Sequence, residues 1–166
     1  MPRINVVILA AGMGKRMRSA LPKVLHPLAG KPILSHVLDT ARTLSPEKIC
    51  VIYGYGGERV RQTVGDDSNL IWVEQAQQLG TGHAVKQALP YLEKGSATLV
   101  LFGDVPLVKS NTLEELIGKA RADNLVLLTV ELDNPTGYGR IVRDSETNRV
   151  QAIVEEKDAL PSQKAI

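Results

Sequence analysis

The strongest constraint on the fold is an alternation along the chain. Short apolar runs are separated by longer segments whose apolar residues recur at helical spacing. Residues 4–10 form an apolar run broken only by Asn5, the pattern of a strand buried on both faces. A basic loop containing glycines follows over residues 11–21. Pro32 can then open a helix at its first position, where its missing N–H costs nothing. Ile33, Leu34, Val37, Leu38, Ala41 and Leu44 fall on one face of that helix. Further strands are expected over 49–53, 70–73, 98–102 (buried, like the first) and 125–132. Further helices are expected over 58–64 and 81–89, with Thr81 able to cap the latter. Another is capped by Asn111 or Thr112 and carries Leu113, Leu116, Ile117 and Ala120 on its apolar face. After a turn at Gly137-Tyr138-Gly139, residues 140–143 and 150–154 read as a hairpin around 144–148. Residues 158–166 are polar and show no recognisable element. This order predicts an α/β fold of Rossmann-like type. Its sheet is mostly parallel, with right-handed crossovers, helices on both faces and a β-rich C-terminal end.

Composition supports that reading and removes others. The 166 residues are 43% hydrophobic and 23% charged, ordinary values for a globular domain with a real core. Wholesale disorder, a collagen helix and a coiled-coil rod are excluded as descriptions of the whole chain. No apolar run approaches the roughly 18 residues of a membrane span. The first run is followed at once by glycines and charges, so a strand explains it better than a secretory segment does. Cys50 is the single cysteine, which rules out an internal disulfide and a Cys-rich zinc site. A cytoplasmic location with no membrane partner is the expectation.

The formal net charge of +2 conceals a skew. Residues 1–38 hold Arg3, Lys15, Arg16, Arg18, Lys23 and Lys31 without a single acid, and so carry +6; the remainder carries −4. Such a segment on a near-neutral chain is either a set of solvated charges or a local anion site. A nucleic-acid surface would need a more strongly basic domain, so no nucleic-acid partner is expected.

Open parallel sheets bind ligands beyond the carboxyl ends of their strands, which singles out two loops. The first contains Ala11, Gly12, Gly14, Lys15, Arg16 and, further on, Lys23. Glycines let backbone N–H groups approach phosphate oxygens, and the cations can neutralise them. The loop matches neither familiar phosphate motif. A dinucleotide fingerprint would need glycine at Met17, and a P-loop would need four residues between its first glycine and Gly14-Lys15. The second loop places Asp104 directly after an apolar run and Gly103. A carboxylate there can be a turn residue, or it can hold a hard cation such as Mg²⁺ together with substrate phosphates. Phosphate donors and a metal ligand at neighbouring strand ends are what phosphoryl or nucleotidyl transfer needs. A third segment, residues 75–84, offers the Gln75 amide, which can pair with a base edge. His83 reads as a partly buried helix residue.

The first loop, together with Pro22-Lys23, resembles the signature of sugar-1-phosphate nucleotidyltransferases. The stretches 22–32, 75–84, 102–107, 137–142 and 153–159 narrow the resemblance. They are similar to the N-terminal uridylyltransferase domain of bacterial bifunctional enzymes that make UDP-N-acetylglucosamine for peptidoglycan and lipopolysaccharide. The resemblance implies that UTP and N-acetylglucosamine-1-phosphate give UDP-N-acetylglucosamine and pyrophosphate by Mg²⁺-assisted in-line attack. It implies contacts to the nucleotide from the backbone around Ala11, Gly12 and Gly14, and reading of uracil by Gln75, Gly80 and Thr81. Arg16 and Lys23 become catalytic phosphate binders, Asp104 the Mg²⁺ ligand, and Gly139 and Glu155 contacts to the amino sugar. The family often has Thr at the place of Lys15 and Tyr at the place of Phe102. Its further sugar-site and metal-site asparagines would lie after Ile166, as would the acetyltransferase domain on which the family's trimers depend. Residues 1–166 are therefore expected to be the N-terminal part of such a domain, truncated, and weakly active or inactive alone. The alternatives are another sugar- or alcohol-phosphate nucleotidyltransferase and a non-catalytic nucleotide-binding module.

Overall fold

The structure is a computed structural model and describes residues 3–12, 14, 17–54, 56–65 and 67–166. Lys15 and Arg16 of the basic loop lie outside the described residues. The chain divides into two compact units, Met1–Leu127 and Leu128–Ile166.

The first unit is built on β1 (Ile4–Leu9), β4 (Lys48–Tyr53), β5 (Leu70–Glu74) and β6 (Ala97–Phe102). They form one parallel sheet in the order β5-β4-β1-β6. Between them run α1 (Ile33–Thr43), α2 (Gly57–Val64) and α3 (Thr81–Ala88), and α4 (Ser110–Gly118) follows β6. A small antiparallel pair, β2 (Pro27–Leu28) with β3 (Lys31–Pro32), precedes α1.

Central β1 explains why its sequence is apolar at successive positions. Ile4, Val6 and Ile8 enter the core that α1 closes with Leu34 and Leu38, and α4 with Leu113 and Ile117. Val7 enters a second core with Cys50, Ile52 and Val73, closed by Ala84 and Ala88 of α3. Helices thus cover both faces, as the alternation predicts. Each large aliphatic side chain buried this way contributes about 1.5–3 kcal/mol. The polar exception in β1 is Asn5, 1% exposed, whose amide satisfies both backbone groups of Glu93 at 2.9 and 3.0 Å.

The chain leaves β1 toward β4 and β5, then returns to its other side as β6. This reversal opens a crevice at the carboxyl ends of the strands.

Several expectations need correction. β6 is half-buried rather than buried. Leu99 and Leu101 point into the core, whereas Thr98, Val100 and Phe102 are exposed, because β6 is the edge of the described sheet. Residues 125–132 are not a strand. A strand exists only by pairing, and no described strand pairs with this run, so Leu125, Leu128 and Val130 stay exposed. Pro32 ends β3 and is the N-cap of α1 rather than its first residue, since its ψ of 140° is still extended. Gly80, not Thr81, precedes α3, because the chain turns there at φ +98°. α4 begins at Ser110 after Lys109, and Asn111 instead accepts the Thr112 N–H at 2.8 Å.

The second unit consists of β7 (Arg140–Arg143) and β8 (Val150–Val154), the expected antiparallel hairpin, and α5 (Pro161–Lys164). The expectation of no element near the end is corrected by α5. Pro161 pre-sets the first helical turn, and the Leu160 N–H donates to Gln163 Oε1 at 2.9 Å.

Candidate active site

A cleft of about 310 Å³ opens at the carboxyl ends of the first unit's strands. Ala11, Gly12, Lys23, Gln75, Gly80, Thr81 and Asp104 line it, joined by Val24, Gln78, Ala84 and Phe102. The three segments singled out in the sequence therefore converge on one site.

Extended β-ladders aim each segment. Beyond β1, the Ala10 N–H donates to Ile52 O at 2.8 Å, so the glycine loop leaves the sheet at a fixed point. The Gly103 N–H donates to Leu9 O at 2.9 Å, which places Asp104 two residues past the end of β6. The Gln75 N–H donates to Tyr53 O at 2.8 Å, carrying the β4–β5 pairing into the third segment.

Lys23 begins a short 3₁₀ turn, Lys23–Leu25, whose Val24 and Leu25 are buried in the core. That anchor brings a flexible side chain to a defined place. Gly14 helps in a way other residues cannot. Its φ is +59°, and a Cβ there would lie 2.8 Å from Lys23 Cβ. Lys23 Nζ donates to Asp104 Oδ2 at 2.5 Å. Both side chains are partly open, 41% and 31% exposed, so the pair faces the cleft instead of being sealed beneath it.

Asp104 is a hard oxygen donor that already holds a cationic group at 2.5 Å, and these features fit a divalent metal bound through one carboxylate and substrate phosphates. Among the described residues no cluster of three or more His, Cys, Asp or Glu is placed to hold a metal. Asp104 is the carboxylate that such a metal would meet in the cleft.

Gln75 is 4% exposed yet lines the cleft. Its Nε2 donates to Gly80 O at 3.1 Å and lies 3.1 Å from His83 Nδ1. Gln78 Nε2 donates to Ala11 O at 2.9 Å and ties the third segment to the first loop. No periodicity or motif signals Gln78, because its role exists only once the two loops meet.

Gly139 and Glu155 belong to the second unit. The β7–β8 register pairs Arg140 with Val154, so these flanking residues share one end of the hairpin, both exposed. Between them Arg140, 4% exposed, donates to Pro135 O at 2.9 Å and pairs with Glu156 at 2.9 Å. Sequence reading missed this anchor, since a buried arginine looks like any other charge in a list of residues.

Known proteins place this geometry. Residues 6–158 match the MobA-like NTP transferase domain. The chain is 81% identical, over its whole length, to the bifunctional protein GlmU of Nitrosomonas europaea, and covers 36% of that protein. It therefore spans only about a third of the length of such relatives. Among solved structures it resembles HddC of Yersinia pseudotuberculosis complexed with GMP-PN (TM-score 0.64, 25% identity, 94% of this chain and 70% of that one). It also resembles Rv0371C of Mycobacterium tuberculosis complexed with manganese (TM-score 0.55, 27% identity, 70% and 58%). The parallel sheet with helices on both faces is thus that of a nucleotidyltransferase fold, and the chain belongs to the family of MobA-like NTP transferase domains.

Proposed function

We propose that this chain carries the uridylyltransferase site that forms UDP-N-acetylglucosamine and pyrophosphate from UTP and N-acetylglucosamine-1-phosphate. The observation that carries the reading is the meeting of Gln75, Lys23 and Asp104 in one cleft. The identity to bifunctional GlmU supports the choice of nucleotide and sugar.

In this reading the backbone of Ala11, Gly12 and Gly14 approaches the nucleotide. Gln75, Gly80 and Thr81 read the uracil. Lys23 swings from Asp104 to a phosphate oxygen, joined by Arg16. Gly139 and Glu155 contact the amino sugar. Asp104 would hold the divalent cation, which we take to be Mg²⁺. When bound, that ion supplies charge neutralisation at the phosphate oxygens. The protein's contribution is otherwise positioning, because in-line displacement at phosphorus asks for little covalent work. Residues 1–166 represent the nucleotide-binding part of a longer domain in a trimeric cytoplasmic enzyme of cell-wall precursor synthesis. No described helix is long and apolar enough to cross a membrane.

The test is pyrophosphate release with N-acetylglucosamine-1-phosphate and Mg²⁺ across UTP, CTP and GTP, beside calorimetric binding of each nucleotide. UTP should give the tightest binding and any turnover seen. Release from CTP or GTP in preference to UTP would assign the chain to another nucleotidyltransferase.

A further inference from the structure

We propose that His83 is a positioning residue for base recognition: its ring locks the Gln75 amide in the orientation that presents an acceptor to the nucleotide base. This inference rests on the uridylyl reading for its consequence, but its geometry stands on the described residues alone.

The Gln75 side-chain nitrogen carries two N–H groups and has two neighbours, Gly80 O at 3.1 Å and His83 Nδ1 at 3.1 Å. A carbonyl can only accept. Turning the amide over would set Gln75 Oε1 against Gly80 O, two acceptors with no proton between them. The nitrogen therefore stays where it is, and His83 Nδ1 must accept its second N–H. A neutral imidazole has one accepting and one donating nitrogen, so Nε2 carries the ring proton.

That proton has a recipient. Gln87, one helical turn further along α3, sets its side-chain amide with Nε2 3.1 Å from His83 Nε2. Its other contact, to His83 O at 3.5 Å, is too long to fix the amide. Two donors cannot bond to each other, so a ring protonated at Nε2 requires the Gln87 amide to turn over and present its oxygen, and the chain of bonds then runs Gln75 to His83 to Gln87 in one direction.

The outcome reaches the cleft. Both N–H groups of Gln75 are engaged inward, and its Oε1 has no partner among the described residues. The amide of a side chain that lines the site is thereby left with only an acceptor to offer a ligand. An acceptor pairs with the N3–H of uracil, whereas cytosine offers an unprotonated N3 at that place.

Two measurements on the full chain decide the matter. Nitrogen-15 NMR of the wild-type ring should show the neutral tautomer protonated at Nε2, with Nδ1 accepting. Calorimetry should show the ratio of UTP to CTP affinity falling about fivefold to tenfold in His83→Phe, the value of one hydrogen bond. In His83→Asn, whose Oδ1 sits near the place of Nδ1 and can still accept, the ratio should be largely retained. A proton on Nδ1, an unchanged ratio in His83→Phe, or an equal loss in His83→Asn would overturn the proposal. If His83→Phe does not fold, the tautomer alone decides. If the wild-type chain binds no UTP, the uridylyl reading fails while the tautomer result still tests the lock.

Discussion

Replacing Lys23 by Met should change two affinities in opposite directions. The substitution keeps the aliphatic stem beside Gly14 and removes only the ammonium that holds Asp104 at 2.5 Å. Because the two side chains are 41% and 31% exposed, their pairing contributes at most about 1 kcal/mol. A divalent cation approaching Asp104 must displace that ammonium. Without it, Mn²⁺ should bind the nucleotide-free chain about twofold to fivefold more tightly, the same free energy read as an affinity. The nucleotide loses instead. A charge-assisted hydrogen bond to phosphate contributes about 1.5–3 kcal/mol, so UTP should bind roughly tenfold to a hundredfold more weakly. Paramagnetic resonance of Mn²⁺ and calorimetry of UTP read the two effects separately, and Asp104→Asn, which should bind Mn²⁺ poorly, is the control. If Lys23→Met weakened Mn²⁺ binding, or left UTP binding unchanged, Lys23 would not be exchanging between carboxylate and phosphate.

Further outcomes concern the scaffold. Asn5→Ala strips the partners from both backbone groups of Glu93 and should cost about 2–4 kcal/mol in chemical denaturation, the range set by how well water replaces them. Burial pushes the Cys50 thiol up to about 11, so it should stay protonated and react slowly with disulfide reagents at pH 8. Between about pH 9 and 11 the folded chain holds a proton that the unfolded chain has lost, so stability should fall as pH rises through that window. Arg140→Met leaves Glu156 and the Pro135 carbonyl without their cation, and should speed amide exchange across β7 and β8 while β1 stays protected.

The sequence made the first unit legible where a residue's neighbours are dictated by its pattern. The run in β1 required two covered faces, and α1 and α3 supply them. The cleft was equally accessible, since Gln75 and Asp104 sit just past strand ends, where parallel sheets bind ligands, and Lys23 follows the basic loop beyond β1. Pattern failed where pairing depends on partners far along the chain. Residues 98–102 and 125–132 look alike in sequence, yet the first pairs with β1 and the second finds no described strand. It failed again at caps. Thr81 and Asn111 have suitable side chains, but Gly80 and Lys109 occupy the cap positions because the chain turns one or two residues earlier. The Gln75–His83–Gln87 relay was invisible because a strand-end loop and a helix must be folded together before the three side chains meet.

The central claim is that the cleft at the end of β1 and β6 is built for a uridine nucleotide. Calorimetric competition in the presence of Mg²⁺ tests it most directly, with UTP, CTP, GTP and NAD titrated in turn into the chain and into Gln75→Ala. The account predicts that UTP binds best to the wild-type chain and that Gln75→Ala removes this preference. Binding heat from NAD with none from UTP would contradict it.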